Sequence, residues 1–137
     1  MKTFYAVFDT NVLVSALMSK HADSPTVLLL DYVIDGRIVL LYNEDIINEY
    51  KDVLHRDKFH FNDEQIDALL DLIRTGLYLD PTASQETFAD EDDRVFYEVA
   101  LSKEEGYVVT GNVKHFPKSP IVVTPAEMMQ IIQENYK

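Results

Sequence analysis

Asp9, Glu49 and the run Asp90-Glu91-Asp92-Asp93 are the residues of this chain whose type and placing can do chemistry. Asp9 ends the apolar run Phe4-Tyr5-Ala6-Val7-Phe8, and an acid at the tip of a fully buried strand is costly without a partner. Its competing role is to cap a helix beginning near Asn11. Glu49 flanks a stripe of Ile46, Ile47, Tyr50, Val53 and Leu54 that recurs at helical period. It can therefore reach a cleft at the edge of the core, or remain an ordinary surface glutamate. Four consecutive acids at a helix start exceed what capping and the helix dipole require, and they raise one another's pKa unless a cation offsets them. Within that run Asp93 precedes Phe96 and Ala100 at helical spacing, which puts it on the turn leading into the packed face. Three separated acids converging on one edge would resemble a carboxylate cage for Mg²⁺ or Mn²⁺, hard ions that take oxygen ligands and are completed by water and phosphate. A pair of such ions about 3.5–4 Å apart can serve phosphodiester cleavage.

Those acids need elements that bring them together. Phe4 to Phe8 is the pattern of a strand covered on both faces, and Val12 to Met18 reads as a helix. Ser24 as N-cap with Pro25 at the first helical position opens a helix through Thr26 to Ile34, stopped by Gly36. Arg37 to Tyr42 is a second buried strand. Asn43 caps a helix to about His55, and Asn62 caps another from Asp63 to about Thr75. Gly76 to Leu79 is a short strand, followed by a polar loop from Asp80 to Ala89. A helix from about Asp92 to Glu104 stops at Gly106. Strands at Tyr107 to Thr110 and Ile121 to Val123 lead to a last helix opened by Pro125. Strands alternating with helices predict an α/β fold with a mostly parallel sheet of four to five strands. No repeat or linker divides residues 1–137, which read as a single domain. In such a sheet, ligands gather outside the carboxyl ends of the strands, and both Asp9 and Thr110-Gly111-Asn112 lie at such ends.

Lys and Arg number 12 against 24 Asp and Glu, a net charge of −12. That balance argues against gripping nucleic acid with a broad basic surface; an acidic pocket would repel RNA until cations filled it. With no Cys, disulfides, thiolate metal sites and a cysteine nucleophile are excluded. Neither a secretory signal nor an apolar run of membrane-spanning length is present, and the protein is read as soluble and cytoplasmic. The four His lack the spacing of metal ligands on one helix; His115 reads as closing a loop. Lys114 reads as a solvated loop lysine or a phosphate contact.

Val7-Phe8-Asp9-Thr10-Asn11-Val12-Leu13-Val14-Ser15-Ala16 resembles the opening motif of PIN domains, in which a strand ends in Asp and Asn follows two residues later. Glu49, within Asn43 to Tyr50 and ahead of Val53-Leu54, matches the family's helical glutamate. Asp90 to Asp93 with Phe96 and Ala100 resembles the motif of the third acid, and Val108-Val109-Thr110-Gly111-Asn112 the strand-end motif that follows. Together the four motifs cover nearly the whole chain. The resemblance is to toxin-type PIN ribonucleases of bacterial and archaeal toxin–antitoxin pairs. It implies a three-layer α/β/α sandwich, usually homodimeric, and a Mg²⁺- or Mn²⁺-dependent endoribonuclease. It further implies an antitoxin protein whose basic segment can occupy the acidic groove. Asp9, Glu49 and Asp93 carry over as metal ligands and water-activating acids, and Asp90 as a second acid of the third motif. Asn11 and Thr110 orient carboxylates by hydrogen bonds, or else close the strand-to-helix turns. Asn112 stands where many PIN domains have Asp; its side-chain amide oxygen can ligate weakly or hold a metal-bound water, but brings no charge to a second metal site.

Other classes fit the residues less closely. Haloacid-dehalogenase-like phosphotransferases also place Asp after a first strand, but need a further Asp where this chain has Asn11. A receiver-like regulator places its acceptor Asp after a later, central strand. A PIN-like binding module that uses its acidic groove without cleaving is the non-enzymatic alternative.

Overall fold

The structure, a computed structural model, describes residues 2–135. Its strands are β1 (Phe4–Phe8), β2 (Ile38–Tyr42), β3 (Leu77–Tyr78), β4 (Gly106–Val109) and β5 (Val122–Val123). Its helices are α1 (Thr10–Met18), α2 (Pro25–Ile34), α3 (Glu44–Leu54), α4 (Asp63–Arg74), α5 (Arg94–Leu101) and α6 (Pro125–Glu134). The five strands form one sheet in the order β3-β2-β1-β4-β5, with every pairing parallel. Successive strand residues face opposite sides, and four of the five residues of β1 are buried. Both faces of the sheet are therefore covered. Helix α2 packs on β2 with α1 and α6 against it, while α5 crosses β1, β2 and β4 and meets α3, and α4 packs on β2 and α3. This is the α/β/α sandwich expected, with a sheet that is wholly parallel.

The capping signals read at Asn43 and Asn62 act as expected, and Thr124, ahead of the expected Pro125, caps the last helix. Asn43 accepts from the Ile46 amide at 2.9 Å, and Asn62 and Thr124 each form a reciprocal capping box, with Gln65 and Glu127. Ser24 holds the N-cap position of α2, yet its hydroxyl bonds Ser19 instead of the helix.

The boundaries around α5 differ most from expectation. Glu91–Asp93 is a 3-10 turn, and the α-helix runs only from Arg94 to Leu101. Asp90 causes the early turn by accepting from the Asp92 amide at 3.0 Å. At the other end the Ser102 hydroxyl donates to the carbonyls of Asp80 and Glu98, and Glu105 takes the left-handed conformation, φ 61°. Gly106 begins β4, and its role is close approach: a Cβ there would stand 2.5 Å from the Ala100 carbonyl oxygen. A 3-10 turn at Asp57–Phe59 had no signal in the sequence pattern.

Candidate active site

From β1 to β3 the chain builds the sheet outward on one side, then resumes at β4 on the other side of β1. Such a reversal leaves a crevice outside the carboxyl ends of the two strands that flank it. Asp9 follows β1 there and Thr110 follows β4, and the Thr110 hydroxyl donates to the Asp9 carboxylate at 2.8 Å. Asp9 is 8% exposed and Thr110 fully buried. Asp9 occupies the N-cap position of α1, but its side chain makes no capping bond. The carboxylate is thus free of the cap role and held from one side by Thr110.

Glu49 reaches the same crevice through its neighbour. Tyr50, wholly buried, donates its hydroxyl to the carbonyl of Phe8 and packs its ring 6.0 Å from that of Phe96. One side chain therefore ties α3 to the last residue of β1 and to α5. Removing only the hydroxyl, Tyr50→Phe, should cost about 0.5–1.5 kcal/mol, the net worth of one hydrogen bond, and loosen Glu49 relative to Asp9. A urea titration checks the first; an unchanged midpoint would show that the bond contributes nothing.

The acidic turn is the third wall. The Asp93 amide donates to the Asp90 carbonyl at 3.1 Å, closing the turn that presents Asp90, Asp92 and Asp93 to the crevice. Glu91 leaves that group and pairs with Arg94 at 2.6 Å. Arg94 itself binds away from the crevice, donating to the Glu86 carbonyl at 2.8 Å, pairing with Glu98 at 3.4 Å, and lying 4.8 Å from the Phe88 ring centre. It fastens the loop before the turn onto α5.

The result is a pocket of about 300 Å³ lined by five carboxylates, Asp9, Glu49, Asp90, Asp92 and Asp93. Asn11 lies on its wall, Val53 and Phe96 supply apolar surface, and Arg56 and an imidazole, His115, also line it. Arg56 also pairs with Asp52 at 3.4 Å. Like charges and burial act together on the acids. Burial pushes the Asp93 carboxyl up to about 6, helped by the charges of Asp9 and Asp90 and opposed by His115. Burial also raises Asp9, against the hydrogen bond from Thr110, the Thr10 amide and the charge of His115. Glu49 is raised by burial first, then by the charges of Asp92 and Asp52.

A divalent cation fits this donor set in chemistry, since clustered carboxylates held at a cost are relieved by positive charge. Among the described residues no three Asp, Glu or His side chains are arranged to grip one ion directly. Ions of the Mg²⁺ class bind through one or two carboxylates and retain several waters, so water-mediated contacts suit the pocket's width.

Of the residues singled out from sequence, Asp9, Glu49, Asp90, Asp93 and Asn11 line the pocket together. Thr110 lies beneath it and acts through Asp9. Asn112 lies outside, on an adjoining cavity with Gly111, Val113, Lys114 and His115, and so does not act as a ligand in the pocket; its backbone N–H donates to the Thr110 hydroxyl at 3.0 Å. Sequence reasoning did not assign Asp92, Arg56 or His115 to the site. Arg56 was not reachable from helical register, because it lies past the end of α3 in extended backbone ahead of the 3-10 turn Asp57–Phe59. His115 was not, because the 3-10 turn Val113–His115 that brings it there follows no periodic pattern.

A family model described as PIN domain matches residues 5–114. No curated protein and no solved structure gives a significant match.

Proposed function

The chain belongs to the PIN-domain family, and on that premise we propose that it is a metal-dependent endoribonuclease that hydrolyses RNA phosphodiester bonds at the end of β1. The observation that carries the proposal is the meeting of carboxylates from three separate segments, the β1 end, α3 and the Asp90–Asp93 turn, in one pocket at the sheet's switch point. Asp9, Glu49 and Asp93 are the residues we assign to hold Mg²⁺ or Mn²⁺, with Asp90 as a further acid. When bound, such an ion supplies Lewis acidity toward an attacking water and positive charge for the phosphate. The three carboxylates are then ionised and accept hydrogen bonds from that water, which aims it. Thr110 fixes the Asp9 carboxylate by donating to one of its oxygens, Asn11 offers its amide from the wall, and Asn112 steadies Thr110 through the backbone. In the test, a labelled single-stranded RNA is cut in Mn²⁺ and left intact in excess EDTA. Cutting that persists in EDTA overturns the proposal.

We further assign the chain to the toxin side of a toxin–antitoxin pair, as a homodimer working in the cytoplasm. Charge supports the partner: an acidic pocket in a chain of net charge −12 is complementary to the basic segment of an antitoxin protein. Among the described residues no helix is long and apolar enough to cross a membrane. A reading frame beside this one that encodes a small protein with a basic tail would support the pairing, and light scattering would test the dimer.

A second reading keeps the pocket and drops the cleavage. It rests on the absence of a ready three-ligand arrangement among the described residues and on Asn112, an amide standing outside the pocket. Binding of a basic peptide by a protein that leaves RNA uncut in Mn²⁺ would favour it.

A further inference from the structure

We propose that a groove running from the acid pocket over residues 111–119 holds the phosphate backbone of the RNA strand to one side of the cut, with Lys114 and Lys118 as its phosphate contacts. The inference rests on the ribonuclease reading for the identity of the ligand, and on separate observations for the place.

The first observation is charge. Residues 106–126 contain no Asp or Glu, in a chain with 24 of them, and this run carries Lys114, His115 and Lys118. Lys114 and Lys118 are both exposed, and neither has an ion pair among the described residues. Arg56, Arg74 and Lys2 have acidic partners, whereas Lys20, Lys51 and Lys58 also have no ion pair among the described residues. What sets this run apart is its two free lysines with no acid among them. The second observation is continuity. The acid pocket and the cavity at Asn112 share His115 as a wall, and that cavity shares Val113 and Lys114 with a third, of about 520 Å³. The third cavity adds Lys118 and Ser119 over the apolar surface of Phe116, Pro117 and Val122. Its single acid, Glu127, is already engaged by the Thr124 amide at 2.9 Å.

The third observation is that the segment is built to stay in place. Phe116 is buried with its ring edge-on to Phe88. The amides of His115, Phe116 and Val122 donate to the carbonyls of Asn112, Val113 and Ser119. A surface fixed before binding loses less freedom on binding. Phosphates passing His115 would thus meet two unpaired ammonium groups in an otherwise anionic protein. The apolar floor between those groups has the character needed to receive a base or ribose.

The test is the binding of a short fluorescein-labelled single-stranded RNA by fluorescence anisotropy, in Mn²⁺, with Asp93→Asn as the common background to stop turnover. Each phosphate contact on a single strand contributes about −0.7 to the slope of log affinity against log salt. Adding Lys114→Ala and Lys118→Ala should flatten that slope by about 1.4, which is roughly 25-fold weaker binding at about 0.1 M salt. Lys20→Ala with Lys103→Ala, which removes the same charge from residues lining none of the three cavities, should leave the slope within a few tenths. An unchanged slope in the groove variant, or an equal change in the control, overturns the groove. So does a protein that binds an acidic peptide and not RNA. The two readings separate cleanly. Metal-dependent cleavage with lysine-independent binding removes the groove and keeps the nuclease; lysine-dependent binding without cleavage does the reverse.

Discussion

Asp9→Asn is expected to reduce metal-dependent RNA cleavage by at least about a hundredfold while the metal-free protein, near pH 7.5, becomes harder to unfold. The first half follows from the assigned role. Groups that only orient a metal ligand are worth about 10–100-fold in affinity or activity, and a ligand itself is worth no less. The second half follows from where Asp9 sits. It is nearly buried, burial raises its pKa above the ordinary carboxylate value, and its charge repels that of Asp93. Asn is the same shape, carries no charge, and its amide oxygen can still accept the Thr110 hydroxyl that Asp9 accepts. The substitution therefore removes the unfavourable part and keeps the bond. Activity and stability moving in opposite directions is the signature of a residue retained for function at the expense of fold. Cleavage rates and thermal melts on the same preparations would check it. A variant that loses both would mark Asp9 as structural, and one that cuts as fast as the wild type would remove it from the site.

What the sequence disclosed, and what it did not, divides by the range of the interaction. Asn43 and Asn62 could be read as helix starts because a cap and the amide it satisfies lie three residues apart. The last helix could be read from Pro125, whose fixed φ suits the first helical position. The stripe from Ile46 to Leu54 was legible for the same reason, and all five of its residues are buried. Asp9 and Thr110 were legible as strand ends, although their contact spans 101 residues of chain; the parallel sheet made the inference for them. Tyr50 read only as one more core aromatic. Its bond to Phe8, which sets Glu49 against Asp9, joins residues 42 apart and leaves no periodic trace. Helix α5 was overextended because Asp92 and Asp93 suit a helix's first turn and Lys103 and Glu104 are good helix formers in isolation. Tertiary bonds from Ser102 to Asp80, and the cap by Asp90, end it at both sides. His115 escaped because nothing local distinguishes a loop histidine near an anionic pocket from one in solvent.

Removing divalent cations should make the protein's stability fall as pH rises through the range from about 4 to above 6, and restoring them should flatten or reverse that fall. The sign follows from Asp93. Its carboxyl is raised from 3.8 to about 6 in the folded chain, so between those values the native state binds the proton more tightly than the unfolded one. The stabilisation this gives is complete below pH 4 and is lost once the pH passes the folded value. Asp9 and Glu49 are shifted in the same direction. A shift of about two units converts to about 3 kcal/mol. Asp93 is only half-buried, so solvent screening brings its share to roughly 1 kcal/mol. A bound cation changes the balance, because it binds ionised carboxylates and releases their protons. At a hundred times its dissociation constant it adds about 2.7 kcal/mol to the folded state, and that gain shrinks as protons compete below about pH 6. Melting curves in EDTA and in Mn²⁺, taken between about pH 4.5 and 8, should therefore diverge with rising pH. In Asp93→Asn the metal-free curve should be flatter, because one of the groups that produce the slope has become unable to titrate. Parallel curves with and without Mn²⁺ would mean that no cation is held where these carboxylates meet.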